Sequence, residues 1–390
     1  MPAQRPLQQC TRWFDTLATH LPQLSRAEAR ALALWSFAAT LTQHIGSTTC
    51  AFFLAELFDL PFGSLRQRLR EFYWPAQKKR GTHRRGLSVE ACFAPLLSWV
   101  LSLMRAKELV LALDVTLIRD RLAVLSLSVV FRGSALPVAW TILPANEKGA
   151  WIAPLARLIA LVAQAVPLSL PTIVLCDRGL QSRLLFETIC AQGWHPMMRL
   201  TKQGYFRPNG QEHWYRLKDL LPGPGRYYLG TGHLFKTDPM ACTLIAIWEE
   251  GYSEPWLLMS DLAVARIYGT FYGLRAWIEQ GFRTIKSGAY HSERLRVVDP
   301  ERAERIWLVL AVSMLWTHAI EPSSEPESRQ GLSPLLVGGI RRVLGVHRSG
   351  WLKLLVCALR CEDLPLPTRL VVARRPVSPR GVVVVLKPPL

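Results

Sequence analysis

Tyr272, Arg275, Glu279 and Lys286 follow one another at intervals of three, four and seven residues in the stretch "YGLRAWIEQGFRTIKSG". On a helix that turns about 100° per residue, all four fall in one arc of about 60°. Beside them Phe271, Leu274, Ile278, Phe282 and Ile285 make an apolar stripe that would face a core. A carboxylate, two cations and a phenol at the border of a buried stripe could bind a metal ion and grip phosphate. Ordinary i,i+4 pairing would explain Arg275 and Glu279 alone, leaving Tyr272 and Lys286 as coincidence.

Two more carboxylates belong in the same argument. Asp114 closes the apolar run "LVLALD" and Asp177 closes "TIVLCD". Ligands in α/β sheets bind at such carboxyl ends of strands. Either aspartate alone could be an Asx turn or a helix cap. Three carboxylates converging on one point would repel one another without a cation. Hard oxygen ligands suit Mg2+ or Mn2+, and two such ions can hold the attacking and leaving oxygens of a phosphoryl transfer. On this reading Asp114, Asp177 and Glu279 are at once the catalytic residues and the ligands of two metal ions. Arg275 and Lys286 would then hold the phosphates of a DNA strand. Tyr272 would add a hydroxyl contact to the DNA backbone or a surface on which a base could stack.

The elements that must position these residues can be read from the hydrophobic pattern. From residue 109, "LVLALDVT", "RLAVLSLSVVFRG" and "SALPVAWTILP" are β-rich runs separated by turn signals. "GAWIAPLARLIALVAQAV" is helical, "PTIVLCDRG" a buried strand, "LQSRLLFETICAQG" a helix closed by Gly193 and "HPMMRLT" a strand. Three strands, helix, strand, helix, strand predicts an α/β fold whose mixed sheet starts antiparallel. Residues 202–260 are β-rich without a long helix and read as an insertion before the Glu279 helix. Ahead of the sheet, residues 1–90 read as helical. Ser25 and Glu28 have capping-box spacing, and a helix–turn–helix has its turn at "DLPFG". The expected division is 1–90 helical, 105–201 first part of the core, 202–260 β-rich insertion and 261–320 last part of the core. Residues 321–390 would form a polar linker, a short helical region and a basic tail whose "VVVV" could add an edge strand.

The net charge of +18 and pI near 10 favour a polyanionic partner, nucleic acid first. From Arg66 to Arg85 there are eight Lys or Arg and one acid, Glu71. A solvated surface helix and a flexible linker would look the same, but charge of one sign favours DNA contact by Arg66, Arg68 and Arg70. The longest apolar runs are about ten residues, such as "WLVLAVSMLW", too short to span a bilayer. No signal-peptide pattern opens the chain. The eight cysteines form no CxxC pair, which points to reduced thiols in a cytoplasmic protein and to no structural zinc. There is no HExxH, no glycine-rich phosphate loop and no Ser/His/Asp pattern; His195 reads as structural and "GPG" at 223–225 as a turn.

The spacing of Tyr272, Arg275, Glu279 and Lys286 resembles the Y-R-E-K signature of bacterial insertion-sequence DDE transposases. "LALDVT" and "IVLCDRG" resemble that family's two aspartate strands, where an arginine such as Arg178 commonly follows the second Asp. The resemblance covers residues 105–316. It implies a ribonuclease-H-like core, two divalent metals, cut-and-paste transposition, and Asp114, Asp177 and Glu279 as the triad. It also implies double-stranded DNA as partner and, since two element ends must meet, a homodimer in the bacterial cytoplasm, nucleoid-associated when DNA is bound. A metal-dependent nuclease of the same fold and a non-catalytic DNA-binding descendant are the rivals. Hairpin-forming members insert a tryptophan from the β-rich region where a base is flipped out. Here Trp248 is the expected candidate and Trp256 the more structural of the pair.

Overall fold

The computed structural model describes residues 4–79, 85–146, 151–264, 269–320, 345–372 and 382–386. Part of the basic connector (80–84), the polar linker (321–334) and most of the basic tail lie outside the described residues, as does the side chain of Phe271.

Helices come first: α1 (Gln4–His20), α2 (Arg26–Thr42), α3 (Ser47–Phe58) and α4 (Phe62–Tyr73). The expected capping box opens α2, with Ser25 and Glu28 satisfying each other's backbone N–H groups. Asp59 ends α3 in the left-handed region and Pro61 precedes α4, which makes the turn. α5 (Phe93–Ser102) leads to the sheet.

β1 (Leu109–Ile118), β2 (Leu122–Phe131) and β3 (Ser134–Pro144) form an antiparallel meander. α6 (Ile152–Ala163), β4 (Thr172–Cys176), α7 (Arg183–Ala191) and β5 (His195–Arg199) follow. β4 runs parallel to β1 and β5 parallel to β4. The β-rich stretch supplies β6 (Tyr205–Pro208), β7 (Tyr215–Arg216), β8 (Arg226–Leu234), β9 (Met240–Trp248) and β10 (Trp256–Ser260). β10 pairs with β5, so these strands extend the core sheet in the order β3-β2-β1-β4-β5-β10-β9-β8-β6-β7. The result is a ribonuclease-H-like mixed α/β fold with a β-rich extension.

α8 (Ala276–Arg283) lies across β1, β2 and β3, and α9 (Pro300–His318) is buried on nearly every side. The N-terminal helices share α9's core. Trp13 stacks on Trp316 with ring centroids 4.2 Å apart, and Ser313 donates to the Ser36 carbonyl. Arg305 on α9 donates to the carbonyls of Leu87 and Tyr73 and pairs with Glu301. α10 (Val346–Leu359) packs on α9, with Gly350 against the Thr317 carbonyl. β11 (Val382–Val383), from the "VVVV" run, pairs parallel with β8. Among the described residues no helix is long and apolar enough to cross a membrane, and the eight cysteines are free.

Candidate active site

Sheet register brings the two aspartates together. Leu113 pairs with Cys176 across the parallel ladder, so Asp114 and Asp177 emerge side by side where that ladder ends. β1 does not end there, as the apolar run suggested. It continues to Ile118, one arm of the hairpin with β2, so Asp114 sits within a strand. Its Oδ1 accepts the Val115 N–H at 2.8 Å.

The signature segment is not one regular helix. Gly269–Arg275 is a 3-10 helix, then comes α8, then a π-helical turn over Thr284–Gly288. A 3-10 turn advances about 120° per residue, so the regular arc does not hold across the join. Tyr272 and Arg275 nevertheless reach the two aspartates directly, Lys286 reaches β1 beyond Asp114, and Glu279 joins the cluster through Arg275. The Tyr272 hydroxyl donates to Asp177 Oδ1 at 3.3 Å. Arg275 Nη2 lies 3.0 Å from Asp114 Oδ2 and 3.3 Å from Asp177 Oδ2, and Nη1 lies 3.8 Å from Glu279 Oε1. Lys286 Nζ donates to Thr116 Oγ1 at 3.3 Å. Thr116 is two residues beyond Asp114, on the same face of β1. Leu274, Ile278, Phe282 and Ile285 are buried as the stripe predicts.

Exposure grades the cluster. The Arg275 and Asp114 side chains are each 14% exposed, Asp177 is 36% and Glu279 70%. The Arg275–Asp114 pair is therefore shielded from water, whereas Glu279 is open to it. Burial pushes the Asp114 carboxyl up against the pull of Arg275 and the Val115 N–H, and Asp177 adds to the rise. For Arg275 burial opposes the charge, but Asp114, Tyr272, Asp177 and Glu279 outweigh it and hold the guanidinium above its ordinary value. Burial raises the Tyr272 phenol, so it stays a proton donor.

The donor chemistry fits a hard divalent ion: three carboxylates share one cation, and all their donor atoms are oxygens. The arrangement is not closed around an ion. Glu279 meets the aspartates only through the guanidinium, and among the described residues no group of three His, Cys, Asp or Glu is placed to hold a metal.

The other expected residues lie further out. Arg178 pairs with Glu254 at 3.2 Å, and Glu254 also pairs with Lys202 at 3.0 Å. Arg66 and Arg68 are exposed on α4, whereas Arg70 is half-buried with its guanidinium 4.5 Å over the Trp74 ring. Arg68 joins Arg30, Lys79 and Arg85 around a crevice of about 320 Å³ that also holds Glu28 and Glu71. Arg30, from α2, had no signal in the one-signed run after residue 66.

Two further residues act on the site. Trp256 packs against Tyr272, whereas the Trp248 indole N–H is tied to the Tyr252 carbonyl at 2.9 Å. Of the two tryptophans, it is Trp256, expected to be the more structural, that touches a residue of the cluster. Gly281 sits so close to β3 that a Cβ would lie 2.4 Å from the Ala135 carbonyl oxygen. A glycine inside a helical pattern was the available signal for it.

Residues 107–316 match the transposase DDE domain. The chain belongs to the DDE transposases. Asp114, Asp177 and Glu279 of this DDE transposase all lie within the matched span. The cryo-EM structure of the piggyBac transposase synaptic complex with hairpin DNA is similar at 10% identity and a TM-score of 0.37, over 79% of this chain and 75% of that one. That likeness is too distant to argue from. No curated protein matches the sequence.

Proposed function

We propose that this DDE transposase is the cut-and-paste enzyme of a bacterial insertion sequence with the Y-R-E-K signature. Asp114, Asp177 and Glu279 are its catalytic triad and hold two Mg2+ or Mn2+ ions. Such a pair of ions supplies charge stabilisation to both the attacking and the leaving oxygen of a phosphodiester. The chain's own residues aim the strand. Tyr272 fixes the rotamer of Asp177 through its hydrogen bond. Lys286, anchored on Thr116, offers a cation to a phosphate beside Asp114, and Arg178 does the same on the Asp177 side. Arg66 and Arg68, exposed on α4, contact the phosphates of the element's ends, whereas Arg70 lies over the Trp74 ring beside them. The enzyme works on double-stranded DNA as a homodimer, because two ends must be joined in one event, and it acts in the cytoplasm on the nucleoid.

What supports this reading is the convergence of all three carboxylates on the Arg275 guanidinium. The test is a labelled duplex carrying the DNA that flanks the gene, incubated with the full chain and Mg2+. Joined products are expected. Asp114→Asn, Asp177→Asn and Glu279→Gln should each lower cleavage by more than about a hundredfold, beyond the usual loss for residues that only support a ligand, with DNA binding retained. Cut but unjoined products would make the chain a nuclease. Near-normal cleavage by Glu279→Gln would remove Glu279 from the triad.

A further inference from the structure

We propose that Arg275 is an exchangeable counter-ion: it competes with the divalent metal for Asp114 and Asp177 and gives them up when a DNA phosphate takes the guanidinium. The proposal rests on the triad reading above and adds an order of events to it.

The geometry carries the competition. Arg275 Nη2 lies 3.0 Å from one aspartate and 3.3 Å from the other. A divalent ion held by the same two carboxylates would draw on the oxygens that now face the guanidinium, and its charge would repel the arginine's. The pair is largely shielded from water, where the attraction between opposite charges is stronger than at the surface. Arginine cannot leave by losing its proton. It can leave only by moving.

Arg275 is also held in a way that permits movement. Its guanidinium contacts run through Nη1 and Nη2 to carboxylates, while its Nε is buried without a hydrogen-bond partner. Arg305 is the contrast. It uses Nε, Nη1 and Nη2 on the Leu87 carbonyl, the Tyr73 carbonyl and Glu301, as a structural arginine does. Arg275 sits at the join between the 3-10 segment and α8, where the backbone geometry changes. Glu279, the third carboxylate, is mostly exposed and can turn inward once the guanidinium has gone.

A phosphate offers the guanidinium planar, bidentate recognition and two full acceptors. DNA binding would therefore release the aspartates, and metal affinity and DNA affinity would rise together, since coupling between two binding sites is reciprocal. The consequence is a site that assembles its cleaving metals only when a strand is in place.

The experiment measures Mn2+ binding to the full chain without DNA, by the loss of the free-ion electron paramagnetic resonance signal. Arg275→Gln should bind Mn2+ about tenfold more tightly than the wild type, within the usual range of coupling between sites. Lys286→Gln removes the same charge nearby without freeing a carboxylate, and should stay within about twofold, since a partly exposed charge acts weakly at a distance. Arg275→Lys keeps the charge but loses the fork and should gain about threefold; it decides the matter if Arg275→Gln does not fold. Unchanged or weaker binding in the Arg275 variants overturns the proposal. Equal gains in Arg275→Gln and Lys286→Gln also overturn it, by reducing the effect to general charge. Asp114→Asn should lose Mn2+ binding. If it binds as the wild type does, the ion does not sit on the triad and the proposed function fails with the counter-ion.

Discussion

Trp256 stands edge-on to Tyr272, with ring centroids 5.4 Å apart and planes at 72°. Tyr272 in turn donates to Asp177, so an indole at the start of β10 is two contacts from the aspartate pair. Trp256, Ile247, Glu249, Tyr252 and Glu254 line a small surface crevice beside it. An indole there can follow a displaced base, and base–aromatic stacking contributes about 1–3 kcal/mol. Trp256→Ala should slow any strand-opening step after the first nick about tenfold or more, while Trp248→Ala should leave it near normal and lower stability. Time courses on a nicked duplex separate the two steps. A larger effect from Trp248→Ala would return the role to that residue.

Much of the site was legible because it follows short-range rules. The strand–helix order fixes which strands are neighbours, and the parallel β1–β4 register then puts Asp114 beside Asp177. The signature spacing put Tyr272, Arg275, Glu279 and Lys286 on one segment; Tyr272 and Arg275 reach the aspartates, Lys286 reaches Thr116 and Glu279 meets the aspartates only through Arg275. What could not be read is where each polar group ends. A 100° wheel does not foresee a 3-10 segment running into α8 and a π turn. Nor does it foresee one guanidinium serving three carboxylates, which is a tertiary contact. The contact between Trp256 and Tyr272 was hidden for the same reason. Strand position says which turn a residue borders, but Trp256 faces Tyr272 only because β10 is inserted beside β5.

Gly281 is a packing requirement for the site. A Cβ there would meet the Ala135 carbonyl oxygen at 2.4 Å, and a backbone atom does not yield as a flexible side-chain end would. Gly281→Ala must lift α8 off β3, and Glu279 and the end of Arg275's helix with it. Overpacking of this kind costs about 1–3 kcal/mol. Cleavage should fall further than stability explains, because positions on α8 shift while the aspartates stay. Denaturant melts and cleavage rates on the same preparation test this; a variant with normal rate and normal midpoint would show that α8 adapts.

The helix core gives a pH dependence. His318 is 3% exposed at the end of α9, and burial pushes its imidazole down to about 4. Its Nδ1 bonds the Met314 carbonyl and its Nε2 has no partner. His347 on α10 is pushed down as well, by burial and then by His318. In the unfolded chain both take up protons near pH 6.5, before the folded chain does. Stability should therefore be full above about pH 6.5 and fall as pH drops toward 4, by up to roughly 1.4 kcal/mol per unit for each histidine. Urea melts at pH 7.5 and 5.5 read this, and His318→Gln should flatten the difference. A wild type equally stable at both values would mean the pair is not buried in its neutral form.

The exposed arginines of α4 make a separable claim about DNA. Arg66 and Arg68 point to solvent, and Arg68 borders the crevice with Arg30, Lys79 and Arg85. Arg70 is committed to the Trp74 ring, so its loss should act through packing more than through phosphate. Deleting the whole N-terminal region would be a poor test, because Trp13 and Ser36 share a core with α9. Charge-neutral substitutions leave that core alone. Each phosphate contact released changes the slope of log affinity against log salt by about 0.9. Arg66→Gln with Arg68→Gln should weaken duplex binding at low salt and flatten that slope by up to about two contacts' worth. Arg70→Gln should leave the slope nearly unchanged and lower the melting temperature instead. Binding titrations across a salt series decide it. A double variant with the wild-type slope would place the DNA track away from α4.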